Sequence, residues 1–508
     1  MTAREYARLD RVALSESDPA LARSLLLTGF LSIGLVVVLY GIPIVGPSLV
    51  GAPTAYVASV FVTCSVTVMI VKHGFPHFVM FWSVLALSQN SLCGLWASPY
   101  STFIPFVATE QKTLSLAVAV LASAPTLLTW VSSRKPLLTA AALYGVVVAA
   151  HSTSVTGATL PYLRNFLLPI AGLLAFAALA SRISWPTRIQ TLRSVTTVLG
   201  ILMATGVVLE LAFGTRLWRQ IVRTDINGAL NSLSDATAIF GVRLPRIGGF
   251  MVEPTNAGYV AAATIIVAVV ARMAWVQSGN RPYSLLIVVG PCLFALVASG
   301  AKSGFLMLAI AAMSGAIFSV TRSALAGILL GWAASLLAVW AYILAIGVPA
   351  TPRAVWLEPT TLVGGDSTTF HFAGLWAGIR AATEDVIGHG VGTGGNFSRD
   401  PNEPWSTWLG TGSESAWGVL AYQTGFFGIL LFCIVLVIAA TDGGKAVGII
   451  VTAWSSAAMF AEAISGPLVA GVLMMGAGLL YRSQHTDDPD HVGTSPLSKP
   501  NAHLGTKE

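Results

Sequence analysis

The sequence predicts an all-α polytopic membrane protein with about 12–14 transmembrane helices and one large extracytoplasmic loop. Of its 508 residues, 55% are hydrophobic and only 10% are charged, whereas a soluble protein carries about 25% charged residues. The mean hydropathy is +0.76. This composition excludes an ordinary soluble enzyme. It also means that the net charge of +6 belongs to membrane loops rather than to a nucleic-acid-binding surface.

Apolar runs of the length that a spanning helix needs, roughly 20 residues, recur along the whole chain. The third run contains Gln89 and Asn90, which predicts a kink or a pairing of these amides with a neighbour. The 14 runs are 25–42, 50–71, 76–96, 113–131, 136–151, 165–181, 194–213, 255–276, 283–299, 303–321, 325–348, 413–439, 445–464 and 467–481.

The lysines and arginines orient these runs. With the N-terminus in the cytoplasm, every inward turn is basic, whereas the three early outward loops carry only Lys112 and Arg164. This positive-inside pattern predicts a multi-pass protein of the inner or plasma membrane with both termini in the cytoplasm. The inward basic residues are Arg4, Arg8, Arg11, Arg23, Lys72, Arg134, Lys135, Arg182, Arg188, Arg193, Arg272, Arg281, Arg322, Lys445 and Arg482.

The same pattern divides the chain into segments. The polar N-terminus lacks the apolar core of a signal peptide, and the polar C-terminal tail is predicted to be disordered. The segments are a cytoplasmic tail at 1–24, a transmembrane bundle at 25–213, an outward arginine-rich loop at 214–254, transmembrane helices at 255–348, a large outward loop at 349–412, transmembrane helices at 413–481 and a cytoplasmic tail at 482–508.

The cysteines indicate no cofactor. They lie far apart within apolar runs, and no Cys-x-x-Cys or Cys/His cluster is present. The sequence therefore predicts neither a disulfide framework nor a metal site. The four residues are Cys64, Cys93, Cys292 and Cys433.

The stretch RLPRIGGFMVEPTNAGY is unusual because it places arginine on the outward side. Arg243 and Arg246 stand in a Pro/Gly-rich turn ahead of a span, and Glu253 in the same turn is a further candidate. A guanidinium binds phosphate bidentately. The start of the next helix, with Thr255 or Asn256 as its cap, adds an anion-binding N-terminus. We expect a phosphate site here, the alternative being plain membrane-end arginines.

The segment ahead of this stretch, residues 215–233, carries apolar residues at helical spacing, among them Trp218. Arg216, Arg219 and Arg223 fall near one face. The pattern predicts an amphipathic helix that lies in the membrane interface with its apolar side down and its arginines snorkelling.

Lys302 stands in the next outward turn, within the sequence ASGAKSG. Small residues on either side would let helices approach closely and leave room for a ligand. A lysine here either snorkels to the interface or serves as a second phosphate-binding cation. With Arg246 on the same side, we expect the second role.

The large loop, 349–412, holds several tryptophans, which argues against disorder. Its glycines do not have the GxGxxG spacing, and an outward loop meets no nucleotide, so we do not expect dinucleotide binding. Arg380 falls in a predicted helix at about 370–386 and is either a third cation or a surface residue. His371 and His389 are candidate bases, although a lone histidine is more often structural.

Glu414 is placed at the outer end of the following span. Desolvation there would raise the pKa of its carboxyl group and suit it to general-base catalysis. In the alternative reading, Ser413 caps the helix and the helix dipole favours Glu414 near its N-terminus.

The order of these motifs resembles the O-antigen ligase and Wzy-type polysaccharide polymerase superfamily, over roughly residues 240–440. The motifs are Arg-x-x-Gly-x-x-x-x-Pro from Arg246, Ser-Gly-x-Lys-Ser-Gly around Lys302, Gly-x-Gly-x-Gly in the large loop, and Glu414 eleven positions before Gly425. The family commonly has histidine at the position of Glu414, especially in ligases, and this departure favours a polymerase.

The resemblance implies a GT-C-like glycosyltransferase that works without a metal. Its donor would be a glycan on a polyprenyl pyrophosphate in the outer leaflet, and its acceptor a second glycan. Arg246 and Lys302, with Arg243 or Arg380, would bind the pyrophosphate, and Glu414 would accept the proton. Membrane lipids and other polysaccharide export proteins are expected partners; nucleic acid is not. We further expect the loop tryptophans to stack on sugar rings; these are Trp356, Trp376, Trp405 and Trp408.

Three other functions stay open. A ligase would transfer finished glycan to a lipid or protein. A transporter or flippase for lipid-linked glycan would carry charges along the middle of its spans, where the sequence has almost none. A purely structural role would leave the arginine loop as an anchor.

Overall fold

The structure is a computed structural model that describes residues 19–100, 106–132, 136–152, 158–222, 236–239, 242–280, 282–321, 323–345, 367–398 and 405–481. Within these ranges the regular structure is helical apart from one hairpin. Its strands are β1 (Ala236–Ile239) and β2 (Val242–Pro245), which pair antiparallel.

Each of the 14 predicted apolar runs coincides with one helix, and four further helices are shorter or lie between the runs. In chain order the helices are α1 (Pro19–Val50), α2 (Ala52–His73), α3 (Phe75–Tyr100), α4 (Phe106–Thr109), α5 (Gln111–Ser132), α6 (Pro136–Ala150), α7 (Thr159–Ala180), α8 (Trp185–Phe213), α9 (Thr215–Ile221), α10 (Pro254–Gln277), α11 (Leu286–Ser299), α12 (Lys302–Val320), α13 (Ala324–Ala345), α14 (Ser367–Glu384), α15 (Trp405–Gly410), α16 (Ala416–Asp442), α17 (Gly444–Ala458) and α18 (Pro467–Leu480).

Ten of the described helices are long and apolar enough to cross a membrane, judged by length and composition. The chain is therefore a multi-pass membrane protein in its architecture. The other four predicted runs form α6, α11, α17 and α18, which have 14 or 15 residues. These are shorter than the roughly 20 residues of a perpendicular span, so the count of 14 crossings stays a prediction.

Burial separates central from peripheral helices. In α3, α7 and α10, 72–78% of the most apolar window is buried, against 22% in α2 and α5. Central helices are apolar on all sides because every face meets another helix. Peripheral helices present leucine and phenylalanine outward, which is favourable only against lipid.

Helix α16 is broken at Gly425, whose backbone has φ 64° and ψ −165°. The break leaves helix carbonyl groups without their usual donors. The glycine-rich segment of the large loop, residues 387–397, supplies them. The backbone amides of His389 and Gly390 donate to the carbonyls of Tyr422 (3.1 Å) and Gln423 (2.9 Å). The glycines of this segment therefore permit a close backbone approach to α16.

Candidate functional site

The loop from Arg246 to Glu253 lies at the end of the bundle where α10 and α12 begin. The amide of Ile247 donates to the carbonyl of Ala298 (3.0 Å), which attaches the loop to the end of α11. A Cβ atom at Gly258 would overlap Ala301 and its neighbours, so α10 packs directly on the turn that leads into α12. The arginine loop and the lysine turn are thus neighbours in space.

A buried carboxylate holds this loop in place. Glu210, near the end of α8, accepts hydrogen bonds from the amides of Gly248 (3.0 Å) and Gly249 (2.7 Å). The Asn90 side chain donates to the carbonyl of Met251 (3.1 Å), so the predicted pairing of that amide with a neighbouring segment is confirmed. Sequence reasoning missed Glu210, although it was the one acidic residue inside its apolar run.

The helix predicted to lie in the membrane interface contacts the arginine loop through Trp218. The described helix ends at Ile221, and residues 223–235 lie outside the described part of the chain. Trp218 is buried, and its indole donates to the carbonyl of Gly249 (3.1 Å). The prediction of an apolar face turned down into the membrane is therefore wrong for Trp218, because the arginine loop covers this ring.

Arg246 is fixed by the helix that follows it. Its Nη2 donates to the Thr255 hydroxyl (2.6 Å), and the Asn256 amide donates to the Glu253 carboxylate (2.5 Å). Neither Thr255 nor Asn256 caps α10, so that prediction is wrong. Pro254 occupies the first helical position, which proline favours, and the cap position falls on Glu253.

Burial acts on both charges of this pair. It lowers the pKa of Arg246, and the nearby Glu253 carboxylate opposes that shift. It raises the pKa of Glu253, against the opposing effects of Arg246 and the Asn256 hydrogen bond. A half-buried guanidinium acts through a lower dielectric than water, so it attracts an anion more strongly than an exposed arginine does.

Tyr259 connects the arginine loop to the other candidate residues. Its hydroxyl forms a hydrogen bond with the Ser303 side chain, directly after Lys302. It also interacts electrostatically with Arg246 and with Glu414. Sequence reasoning missed Tyr259. The available signal was its position five residues after Pro254. This spacing places the ring about one turn into α10, close to the end that carries the arginine loop.

Glu414 and His371 form the second half of the site. The Nδ1 atom of His371 lies 2.9 Å from the Glu414 carbonyl oxygen and 3.4 Å from its Oε2 atom. Both oxygens are acceptors when the carboxylate is ionised, so Nδ1 carries the hydrogen. The Nε2 atom of a neutral His371 is then an acceptor. About a quarter of each side chain is exposed, so a substrate can reach the pair.

The backbone holds Glu414 in an unusual conformation, with φ at 72°. Left-handed φ is uncommon for residues other than glycine and often marks a functional constraint. The cap of α16 is Ser415, whose hydroxyl accepts from the Gly418 amide (3.0 Å). The Ser413 cap of the alternative reading is therefore wrong, because the hydroxyl of Ser413 donates to the Trp408 carbonyl.

Glu462 is a buried carboxylate beside this pair that sequence reasoning missed. It lies in the turn between α17 and α18 and forms a hydrogen bond with the Tyr162 hydroxyl. The backbone amide of Asn396 donates to the Oε2 atom of Glu462 (3.4 Å). Burial, with a contribution from the charge of Glu414, raises the pKa of Glu462 to about 7. The available signal was that Glu462 is the one acidic residue of the apolar run 445–464.

Two predicted candidates lie away from this cluster. The Nε atom of Arg380 contacts Glu384 (2.8 Å) on the same exposed helix face, about 13 Å along α14 from His371. This contact favours the surface role over the third-cation role. The His389 ring stacks on Tyr422 with centroids 4.1 Å apart. His389 therefore stabilises the break in α16.

The remaining predicted residues are Arg243 and three of the loop tryptophans. Arg243 lies in β2 opposite Ala238, and its side chain is outside the described part. Trp356 is outside it as well, and Trp405 is described only by its backbone. Trp408 is buried and so presents no open ring face to a sugar.

No protein-family model, no curated protein and no solved structure matches this chain. The resemblance to the polymerase and ligase superfamily therefore stays a prediction that depends on the order of the motifs.

Proposed function

We propose that this protein is a membrane glycosyltransferase. It transfers a glycan from a polyprenyl pyrophosphate to an acceptor glycan at the outer face of the membrane, as a polymerase of repeat units. The observation that carries the proposal is the convergence of Arg246, the start of α12 with Lys302, and the His371–Glu414 pair around Tyr259. These residues lie far apart in the sequence and come from four separate segments.

The donor phosphates suit one side of this cluster. Two helices, α10 and α12, begin there, and helix N-termini bind anions through free amides and the helix dipole. Lys302 is the exposed first residue of α12, and the half-buried guanidinium of Arg246 lies beside α10. Two cations and two helix starts give the two negative phosphates of a pyrophosphate complementary charge.

The reaction then follows from the placement of the two halves. The acceptor hydroxyl oxygen attacks the anomeric carbon and forms the new C–O bond while the bond from that carbon to the pyrophosphate oxygen breaks. The bonding electrons leave with the pyrophosphate, whose growing charge Arg246 and Lys302 stabilise. The proton of the hydroxyl passes to the His371–Glu414 pair.

The pair can accept this proton in two ways. Either the Glu414 carboxylate is the base, or Nε2 of His371 is the base and Glu414 orients the ring through Nδ1. A base oriented by a third group is a recurring arrangement in covalent and acid–base catalysis. We infer that the two side chains act as one unit, and the variants below separate their roles.

A transporter or flippase is less well supported by the positions of the buried charges. Three carboxylates are buried in the described part of the chain, and they lie at or near helix ends rather than at mid-span: Glu110, Glu210 and Glu462. The partly buried Lys112 and Arg164 lie near the starts of α5 and α7. Arg164 and Glu110 also form an ion pair with each other, so these two charges neutralise each other instead of lining a path.

The length distribution of surface and lipid-linked glycans tests the proposal, in cells with and without the protein. A polymerase predicts loss of long chains while single repeat units are still exported. Long chains stranded on the lipid carrier would instead mean a ligase. Repeat units trapped on the inner leaflet would mean a flippase and would contradict an outer-face reaction.

A further inference from the structure

A pocket lies at the opposite end of the bundle from the arginine loop. It has a volume of about 350 Å³ and opens between the starts of α1, α8 and α11. Arg193 on its wall precedes Glu210 by 17 residues of the same helix, or about 25 Å. The pocket is therefore separate from the proposed active site. Its volume is within the range of small-ligand sites, which is large enough for a lipid headgroup.

Two arginines line this mostly apolar pocket. Arg23 and Arg193 both line it, together with hydroxyl and amide side chains. The Arg193 guanidinium lies 5.1 Å from the centroid of the Tyr283 ring, a cation–π contact that restrains its position. Within the described ranges, no carboxylate lies within ion-pair distance of either arginine. Among the described residues, the lining of the pocket therefore carries two positive charges and no negative charge.

The rim of the pocket is apolar. Leu26 and Ile287 belong to its lining, and the adjacent Leu27 and Leu286 are 59% and 77% exposed. Such surfaces on spanning helices face lipid chains. A ligand that fills the pocket would thus place an anionic group against the arginines and an acyl chain along the rim.

We propose that this pocket binds the phosphate headgroup of an anionic phospholipid. Basic pockets between transmembrane helices are known sites for such headgroups. An arginine that merely snorkels extends away from the protein along a helix surface. Arg193 instead lies at a pocket wall, held by an aromatic ring.

The test uses the full-length protein in nanodiscs of zwitterionic phosphatidylcholine, with phosphatidylglycerol titrated in and bound lipid counted by native mass spectrometry. The double variant Arg23→Gln/Arg193→Gln should bind phosphatidylglycerol on the order of 10-fold more weakly, because it loses charged hydrogen bonds to the phosphate. The matched control is Arg182→Gln, since Arg182 lies at the same end of the bundle and contacts Thr126 outside the pocket. We expect less than about a twofold change for it.

A second variant distinguishes a lost binding site from a misfolded protein. Ser284 lines the pocket and is exposed, so Ser284→Trp should block the site without a loss of buried contacts, and it should reduce binding as the double variant does. Equal loss in the Arg182 control, or unchanged binding in the Ser284 variant, would overturn the proposal. Full displacement of the lipid by millimolar inorganic phosphate would overturn its lipid part, because the site would then take a free anion.

Discussion

At the residue scale, Arg246 and Lys302 differ in what a substitution should do. Arg246→Ala and Lys302→Ala should each lower polymer formation at least about 100-fold, since each removes a cation from the departing charge. Arg246→Lys should recover only part of the activity, because lysine cannot make the bidentate contact or reproduce the fork that contacts Thr255. The measurement is polymer yield on a gel, with the membrane content of each variant matched.

Arg380→Ala is the control for these variants. It removes an arginine that is exposed and contacts Glu384, so polymer yield should stay near that of the wild type. Full activity in the Arg246→Ala protein, or an equal loss in the Arg380→Ala protein, would contradict a specific pyrophosphate site.

Glu414 allows its backbone and its chemistry to be separated. Glu414→Gly suits the left-handed φ of 72° and should not lower thermal stability, since a side chain there costs about 1 kcal/mol. It should nevertheless reduce transfer at least about 100-fold, as should Glu414→Gln and His371→Gln, because each damages the base. Donor binding should persist in all three. Normal transfer in the two Glu414 variants with none in His371→Gln would make His371 the base acting without Glu414.

Glu462 predicts a pH dependence of stability. Burial raises its pKa to about 7 from an ordinary value of 4.5, so the folded state prefers the protonated form. This preference contributes fully below pH 4.5 and is lost as the pH rises to 7, an effect of up to about 3 kcal/mol. The melting temperature in detergent should fall from pH 5 to pH 8 in the wild type and fall less in Glu462→Gln. Glu384→Gln, at an exposed site, should keep the wild-type slope.

At the scale of elements, the break in α16 depends on one glycine. A Cβ atom at Gly425 would overlap the Val386 carbonyl oxygen, and φ there is 64°. Gly425→Ala should therefore destabilise the protein by about 1–3 kcal/mol and release the glycine-rich segment from the helix. Gly315→Ala, in α12 with open space around it, should be neutral or slightly stabilising. Proteolysis of the large loop would report the release, and equal resistance of both variants would contradict it.

The sequence predicted the elements better than their ends. Hydropathy located all 14 runs because burial in lipid or protein needs long apolar stretches. The predicted helix caps were wrong at α10 and α16, where the caps are Glu253 and Ser415, two or three positions from the expected residues. The glycine-rich segment was recognised as unusual, but its pairing with Tyr422 and Gln423 depends on a break that periodicity does not show.

At the scale of the whole molecule, the sequence predicted that the candidate residues share one end of the bundle, but not how they pack. Alternation of basic turns assigned Arg246, Lys302 and Glu414 to one side. It could not show that Tyr259 lies within reach of two of them, nor that Glu462 lies beside Glu414. Such contacts between helices distant in sequence depend on packing that a single sequence does not encode in its local pattern.

The orientation of the bundle is the last prediction. Gln220 and Gln277 are both exposed and lie at opposite ends of the described bundle, within α9 and at the end of α10. In a protein whose native cysteines are replaced, Gln220→Cys should react with a membrane-impermeant maleimide in intact cells, because its end carries the arginine loop. Gln277→Cys should react only after permeabilisation, since the turn that follows it is basic and inward. The reverse result would put Arg246 and Glu414 on the cytoplasmic side, where the donor would have to be an inner-leaflet lipid.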